Sequence, residues 1–144
     1  MVAYAESSAV LAWLLGEPDG AIAASAFKRA DHVVASVLTG VECSRAIVRA
    51  AHLGELSKTD ARRLSLALAE AEEGWHRLEV SERVLSVARA PFPAEPLRTL
   101  DAIHVASAVI AHEAYRDLVV VTFDNRVRAS LVGLGIPLID APRA

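Results

Sequence analysis

The chain has 144 residues, 53% of them apolar, and 15 Lys and Arg against 18 Asp and Glu give a formal net charge of −3. That length and composition fit one globular domain spanning residues 1–144 with a core of its own, and they exclude a disordered chain. The negative balance argues against broad, non-specific attraction to nucleic acid, the single Cys43 excludes a disulfide framework or a cysteine-rich zinc site, and no uncharged apolar run approaches the roughly 18 residues that span a bilayer.

Short β-rich runs alternate with longer helical ones, the pattern of an α/β sheet with a parallel core. Val2 to Glu6 reads as the first strand, and Ser7 to Leu15 as a helix apolar almost all round, packed deep in the core. No basic residue precedes that apolar stretch, so the start does not read as a secretory signal and a cytoplasmic protein without membrane attachment is expected. Pro18 suits the first turn of a helix running to about Ala30. His32 to Ser36 follows as a strand, then a helix from about Leu38 to Leu53 that stops at Gly54. Ser57 or Thr59 caps the next helix, which runs to Glu73. Arg77 to Val80 is a strand, and Ser81 with Glu82 opens a helix that Pro91 and Pro93 halt. Ala102 to His112 carries no Asp, Glu, Lys or Arg, the mark of a buried helix. Leu118 to Phe123 contains Val119-Val120-Val121, apolar on both faces as a central parallel strand is. Asp124 to Leu131 gives a last helix, and Gly133 and Gly135 lead into a fifth strand, Pro137 to Ile139. Trp13 and Trp75 read as core or interface residues, and Cys43 as a small buried one.

Four acidic residues stand at the joints of this pattern: Glu6, Glu42, Asp101 and Asp124. Each has an ordinary structural reading. Glu6 suits the dipole of the helix it precedes. Thr39-Gly-Val-Glu42 fits a capping box, and Arg45 and Arg49 stand at helical ion-pair spacing from Glu42. Asp124-Asn125 is a common turn or cap signal. Asp101 is more telling, because it opens the apolar helix and so sits at the rim of the core. Two of the four end predicted strands and two begin helices, positions that share one edge of a parallel α/β sheet, the edge at which such sheets bind ligands. Clustered carboxylates in apolar surroundings require compensation, and a hard divalent cation, Mg²⁺ or Mn²⁺, supplies it. Metal-dependent hydrolysis of phosphate esters is the chemistry expected of such a centre. Arg98, Arg126 and Arg128 are candidate phosphate contacts. Ser7 and Ser8 suit either capping or a bond to a metal ligand or phosphate. His104 reads as a structural hydrogen-bonding residue, since no second histidine stands at metal-ligand spacing. Neither a serine-hydrolase elbow nor a phosphate-binding glycine loop occurs.

Taken together, Tyr4-Ala-Glu6-Ser-Ser-Ala-Val, Val41-Glu42, Arg98-Thr-Leu-Asp101-Ala-Ile-His-Val-Ala-Ser-Ala and Val121-Thr-Phe-Asp124 resemble the PIN domain, and within it the VapC-type toxins of bacterial toxin–antitoxin pairs. The likeness spans nearly the whole chain, and Leu-Asp-Ala-Ile-His is its most specific piece. It implies an α/β/α sandwich around a mainly parallel sheet of about five strands. It further implies a Mg²⁺- or Mn²⁺-dependent endoribonuclease, often a homodimer, held in check by a cognate antitoxin. Carried over by position, Glu6, Glu42, Asp101 and Asp124 form the acidic catalytic set. Glu6, Asp101 and Asp124 hold the metal, Glu42 completes the ring, and Ser8, Arg98 and Arg126 contact the RNA. The departure is Glu6, where the family usually has Asp. One added methylene displaces the carboxylate by about one bond, ~1.5 Å.

That departure motivates a rival, a catalytically weakened domain acting mainly as a protein-binding module whose acidic pocket receives a partner's arginine. A phospho-acceptor receiver domain is also doubly wound and binds Mg²⁺. It calls for paired acids after the first strand and a lysine near the last strands, and no lysine follows Lys58.

Overall fold

The computed structural model describes residues 1–140. In chain order the elements are β1 (Val2–Ala5), α1 (Ser7–Leu14), α2 (Gly20–Arg29), β2 (His32–Ser36), α3 (Val37–His52), α4 (Lys58–Glu73), β3 (His76–Leu78), α5 (Glu82–Ala88), α6 (Thr99–Ala114), β4 (Leu118–Val121) and α7 (Asn125–Gly133). The strands pair in parallel in the order β3-β2-β1-β4. β1 therefore lies between its successor and the last strand, and the chain winds outward from it in both directions. The crevice beyond the carboxyl ends of β1 and β4 is the topological switch point, where sheets of this kind bind ligands.

Alternation along the strands explains the layers, because neighbouring residues of a strand face opposite sides. Val2, Tyr4, Val34, Leu118 and Val120 pack with Val105, Ala106, Val127 and Leu131 of α6 and α7. Ala5 and Ala35 face the other way, against Val10, Cys43, Ile47, Leu64 and Leu68 of α1, α3 and α4. Ala3 and Val121 meet Ala9, Ala23 and Ala26 on that same side. The result is an α/β/α sandwich. Cys43 is fully buried, and burial pushes its thiol up to about 12, so it behaves as a small apolar group.

Two strand expectations change. The sheet has four strands, and the expected fifth is reduced to one parallel bridge, Val120 to Leu138. The Val120 N–H donates to the Pro137 carbonyl and the Ile139 N–H to the Val120 carbonyl, each at 2.9 Å. β4, whose valine run reads as central, is thus last in the sheet order, and this short segment covers its outer edge. The truly central strand is β1, buried along its whole length.

Helix starts also shift. Ser36, the last residue of β2, caps α3 by accepting the Leu38 N–H at 3.1 Å. The Thr39–Glu42 capping box therefore does not form; Thr39 lies inside the helix, with its hydroxyl donating to the Ala5 carbonyl at 3.3 Å. Helix α6 begins two residues ahead of Asp101, which falls in its first turn.

Gly20 of α2 sits directly against the backbone of α1. A Cβ there would sit 2.7 Å from the carbonyl carbon of Ala12, part of the backbone of α1. Gly20→Ala is expected to lose about 1–3 kcal/mol in chemical denaturation, the usual cost of forcing volume into a packed interior. Unchanged stability would mean that the two helices separate freely.

Candidate active site

The switch point collects the acidic residues. β1 pairs with β4 in a register that sets Ala5 opposite Val121, and the Glu6 N–H donates to the Val121 carbonyl at 3.1 Å. Glu6 follows the strand in extended conformation and caps α1 with its own side chain. Its Oε2 accepts the Ser8 N–H at 3.1 Å, the Thr122 hydroxyl at 2.7 Å and the Ser8 hydroxyl. Ser8 Oγ in turn accepts the Phe123 N–H at 2.9 Å. One carboxylate thus clamps the start of α1 to the exit of β4. Glu6 is buried, and neither it nor Ser8 belongs to the lining of the cleft described next.

Asp124 caps α7, with Oδ1 accepting the N–H groups of Arg126 and Val127 at 2.9 Å each. Asp101 and Asp124 line a cleft of about 640 Å³ together with Glu42, Arg98 and Arg126. Burial raises the pKa of Asp101, the charge of Asp124 adds to the rise with a smaller part from Glu42, and His104 and Arg98 oppose it. Like charges therefore crowd this cleft. Arg98 and Arg126 are exposed, and among the described residues neither is taken up in an ion pair.

Glu42 departs from its expected partners. It pairs with neither Arg45 nor Arg49, because it lies on the inward side of α3 and meets His104 Nε2 through Oε1, with the Ser7 hydroxyl donating to the same oxygen at 3.0 Å. Burial works against ionisation of Glu42, but the hydrogen bond and charge of His104, with Ser7 adding, hold its carboxyl below the usual range. Burial likewise opposes a charged His104, and Glu42, Glu6 and Asp101 overcome it, raising that imidazole's pKa.

Arg128 also differs from expectation. Its Nη1 donates to the carbonyls of Thr122 at 2.8 Å and Ile139 at 3.1 Å, so it ties β4 to the segment covering its edge instead of facing the cleft. Two contributors escaped the sequence reading. Thr122 is fully buried and bonds Glu6 across 116 positions, and the pairing of His104 with Glu42 spans 62. The one signal for Thr122 was a polar residue closing an otherwise apolar strand.

Among the described residues, no group of three or more His, Cys, Asp or Glu side chains is arranged to hold an ion unaided. The donors nevertheless fit a hard divalent cation. Mg²⁺ keeps several waters and is commonly bound by one or two carboxylates with substrate phosphates. Asp101 and Asp124 offer that pair in a cleft whose crowded negative charge favours a cation.

Comparison with known proteins places this geometry in context. A model of the PIN domain matches residues 3–130. Over 136 residues the chain is 33% identical to Ribonuclease VapC46 of Mycobacterium tuberculosis (strain ATCC 25618 / H37Rv), covering 94% of this chain and 95% of that protein. Among solved structures it is similar to VapC20 of Mycobacterium tuberculosis, described as a sarcin-ricin loop cleaving toxin, with TM-score 0.66 and 15% identity, covering 97% of this chain and 99% of the other. It is also similar to VapBC-5 from the same organism, described as a member of the VapBC family of toxin-antitoxin systems, with TM-score 0.60 and 23% identity, covering 97% and 98% respectively.

Proposed function

This chain belongs to the PIN domain family and to its VapC-type branch, and from that premise we propose that it is a Mg²⁺- or Mn²⁺-dependent endoribonuclease, the toxin of a toxin–antitoxin pair. The observation that carries the reading is the cleft at the switch point, whose lining Asp101, Asp124 and Glu42 share with the exposed Arg98 and Arg126. Anionic metal donors beside unpaired cations suit a substrate that is itself a polyanion. The name of VapC46 and the description of VapC20 support RNA as that polymer. The description of VapBC-5 supports an antitoxin protein as partner, and a homodimer is part of the same proposal. Among the described residues no helix is long and apolar enough to cross a membrane.

When bound, the divalent ion supplies Lewis-acid stabilisation of charge on the phosphoryl group and renders water nucleophilic at neutral pH. Asp101 and Asp124, which line the cleft, would hold the ion. Glu6, the expected third ligand, stands outside that lining, and Oε1, which accepts no hydrogen bond among the described residues, is the oxygen it would offer. Glu42, kept ionised by His104 and Ser7, accepts a hydrogen bond from the attacking water and so orients it. Arg98 and Arg126 would contact phosphates of the RNA backbone.

The test is cleavage of structured RNA by the purified chain free of any antitoxin, with Mg²⁺, with Mn²⁺ and with EDTA, beside melting curves under the same conditions. Cleavage with either ion and none with EDTA is expected. The melting point should rise with added metal, since an ion present at a hundred times its Kd stabilises by about 2.7 kcal/mol. A chain that neither cleaves nor gains stability from either ion would sink the proposal.

A further inference from the structure

Helix α6 buries an imidazole in a way that packing does not explain. His104 is 2% exposed, and its Nδ1 is buried with no hydrogen-bond partner. A stranded buried polar atom carries a desolvation penalty that an aliphatic side chain at this position would avoid. The other nitrogen is fully engaged. Nε2 contacts Glu42 Oε1, and a carboxylate only accepts, so Nε2 carries the proton and donates it. Ser7 Oγ lies 3.0 Å from that same oxygen and 3.5 Å from Nε2. Both groups come from the core side, from the first residue of α1 and the inner face of α6. Oε1 is therefore fixed against the interior, while Glu42 itself lines the cleft. Its Oε2 accepts no hydrogen bond among the described residues.

We propose that His104 and Ser7 are positioning residues for the reaction, which hold Glu42 by Oε1 so that Oε2 is presented to the attacking water. Neither touches substrate; both act through Glu42. Without them the glutamate, on a half-exposed helix face, has several staggered rotamers of similar energy. A carboxylate that must orient water within a few tenths of an ångström loses much of its effect when it samples them. The inference rests on the nuclease reading for its kinetic consequence, though the hydrogen bond itself does not.

The experiment compares His104→Leu, close in volume but without a donor, with His104→Gln, whose amide N–H reaches the position of Nε2. Each is made in the wild-type chain, and His104→Leu also in a Glu42→Ala background. His104→Leu should lower kcat on the order of 10- to 100-fold, the usual effect of removing a group that orients a site residue, with KM for RNA little changed. His104→Gln should recover most of that loss. In the Glu42→Ala background His104→Leu should cost nothing further, since the residue it acts through is gone. Wild-type kcat in His104→Leu, a Gln variant no better than Leu, or a full additional loss in the Glu42→Ala background would each overturn the proposal. A separate readout uses metal-free protein labelled with ¹⁵N-histidine. The proton on Nε2 of His104 should resonate far downfield, and Glu42→Ala should abolish that displacement. Absence of such a proton in the wild type would also overturn the proposal. A wild-type chain that shows the proton but cleaves no RNA with either metal would instead refute the nuclease reading alone.

Discussion

Asp101→Asn is expected to remove metal-dependent RNA cleavage while making the metal-free protein more stable. The rate should fall on the order of 10³-fold or more, about 4 kcal/mol of transition-state stabilisation. The stability change has the opposite sign. Burial and the nearby charge of Asp124 raise the pKa of Asp101, so its ionisation opposes folding at neutral pH. A folded pKa above the unfolded one means that this penalty is absent below the ordinary aspartate range and grows as pH rises through the folded value. Asparagine lacks the charge, so the variant should melt above wild type at neutral pH and level with it in acid. Added Mg²⁺ or Mn²⁺ should then reverse the order, because only the wild type gains from the ion. Melting curves with and without metal, beside a cleavage assay, read both effects. A variant that melts lower than wild type without metal would show that Asp101 supports the fold instead of straining it.

Glu6→Ala carries the largest expected loss of stability. The substitution removes the cap of α1, worth about 1 kcal/mol. It also leaves the Thr122 hydroxyl, fully buried, and the Ser8 hydroxyl without their acceptor, at about 1–3 kcal/mol for the buried group. Together these give about 3 kcal/mol, a fall in melting temperature of roughly 10 °C for a domain of this size. Glu6→Asp should recover the helix cap, since aspartate is a preferred N-cap residue, but its carboxylate is drawn back by ~1.5 Å from Thr122. Its melting point should fall between those of wild type and Glu6→Ala. An alanine variant that melts with wild type would mean that the clamp between α1 and β4 carries no net energy.

The parts of this architecture that depend on local pattern were readable. Strand and helix periodicity identified the parallel α/β class, and it put Glu6 and Asp124 at strand ends because those strands are short, apolar and sharply bounded. Asp101 was readable for the same reason, as a charge at the mouth of an uncharged helix. What escaped depends on residues that meet from far apart. Glu42 was matched with Arg45 and Arg49 because helical spacing is visible in a sequence. His104 wins instead, since Glu42 reaches across to α6 while Arg45 and Arg49 are exposed. The start of α3 was placed within a residue but its cap was misassigned, because Thr39 and Glu42 satisfy a capping pattern, whereas Ser36 leaves the sheet directly into the helix. The fifth strand was overestimated because Pro137 to Ile139 is a short apolar run set off by Gly133 and Gly135. Only Leu138 pairs with β4, and Arg128 draws off the Ile139 carbonyl.

The clamp between Glu6 and Thr122 has a bearing on how such a chain is made. Residues contributed early and late in synthesis must be joined before the acidic centre exists at all. A nascent polypeptide that has completed β1, β2 and β3 already owns most of its sheet, yet its Glu6 still lacks the Thr122 hydroxyl, and Asp101 and Asp124 have not been brought together. The cluster therefore requires β4 to be seated beside β1. A ribosome translating this message carries no finished acidic cluster until residue 124 has emerged and docked.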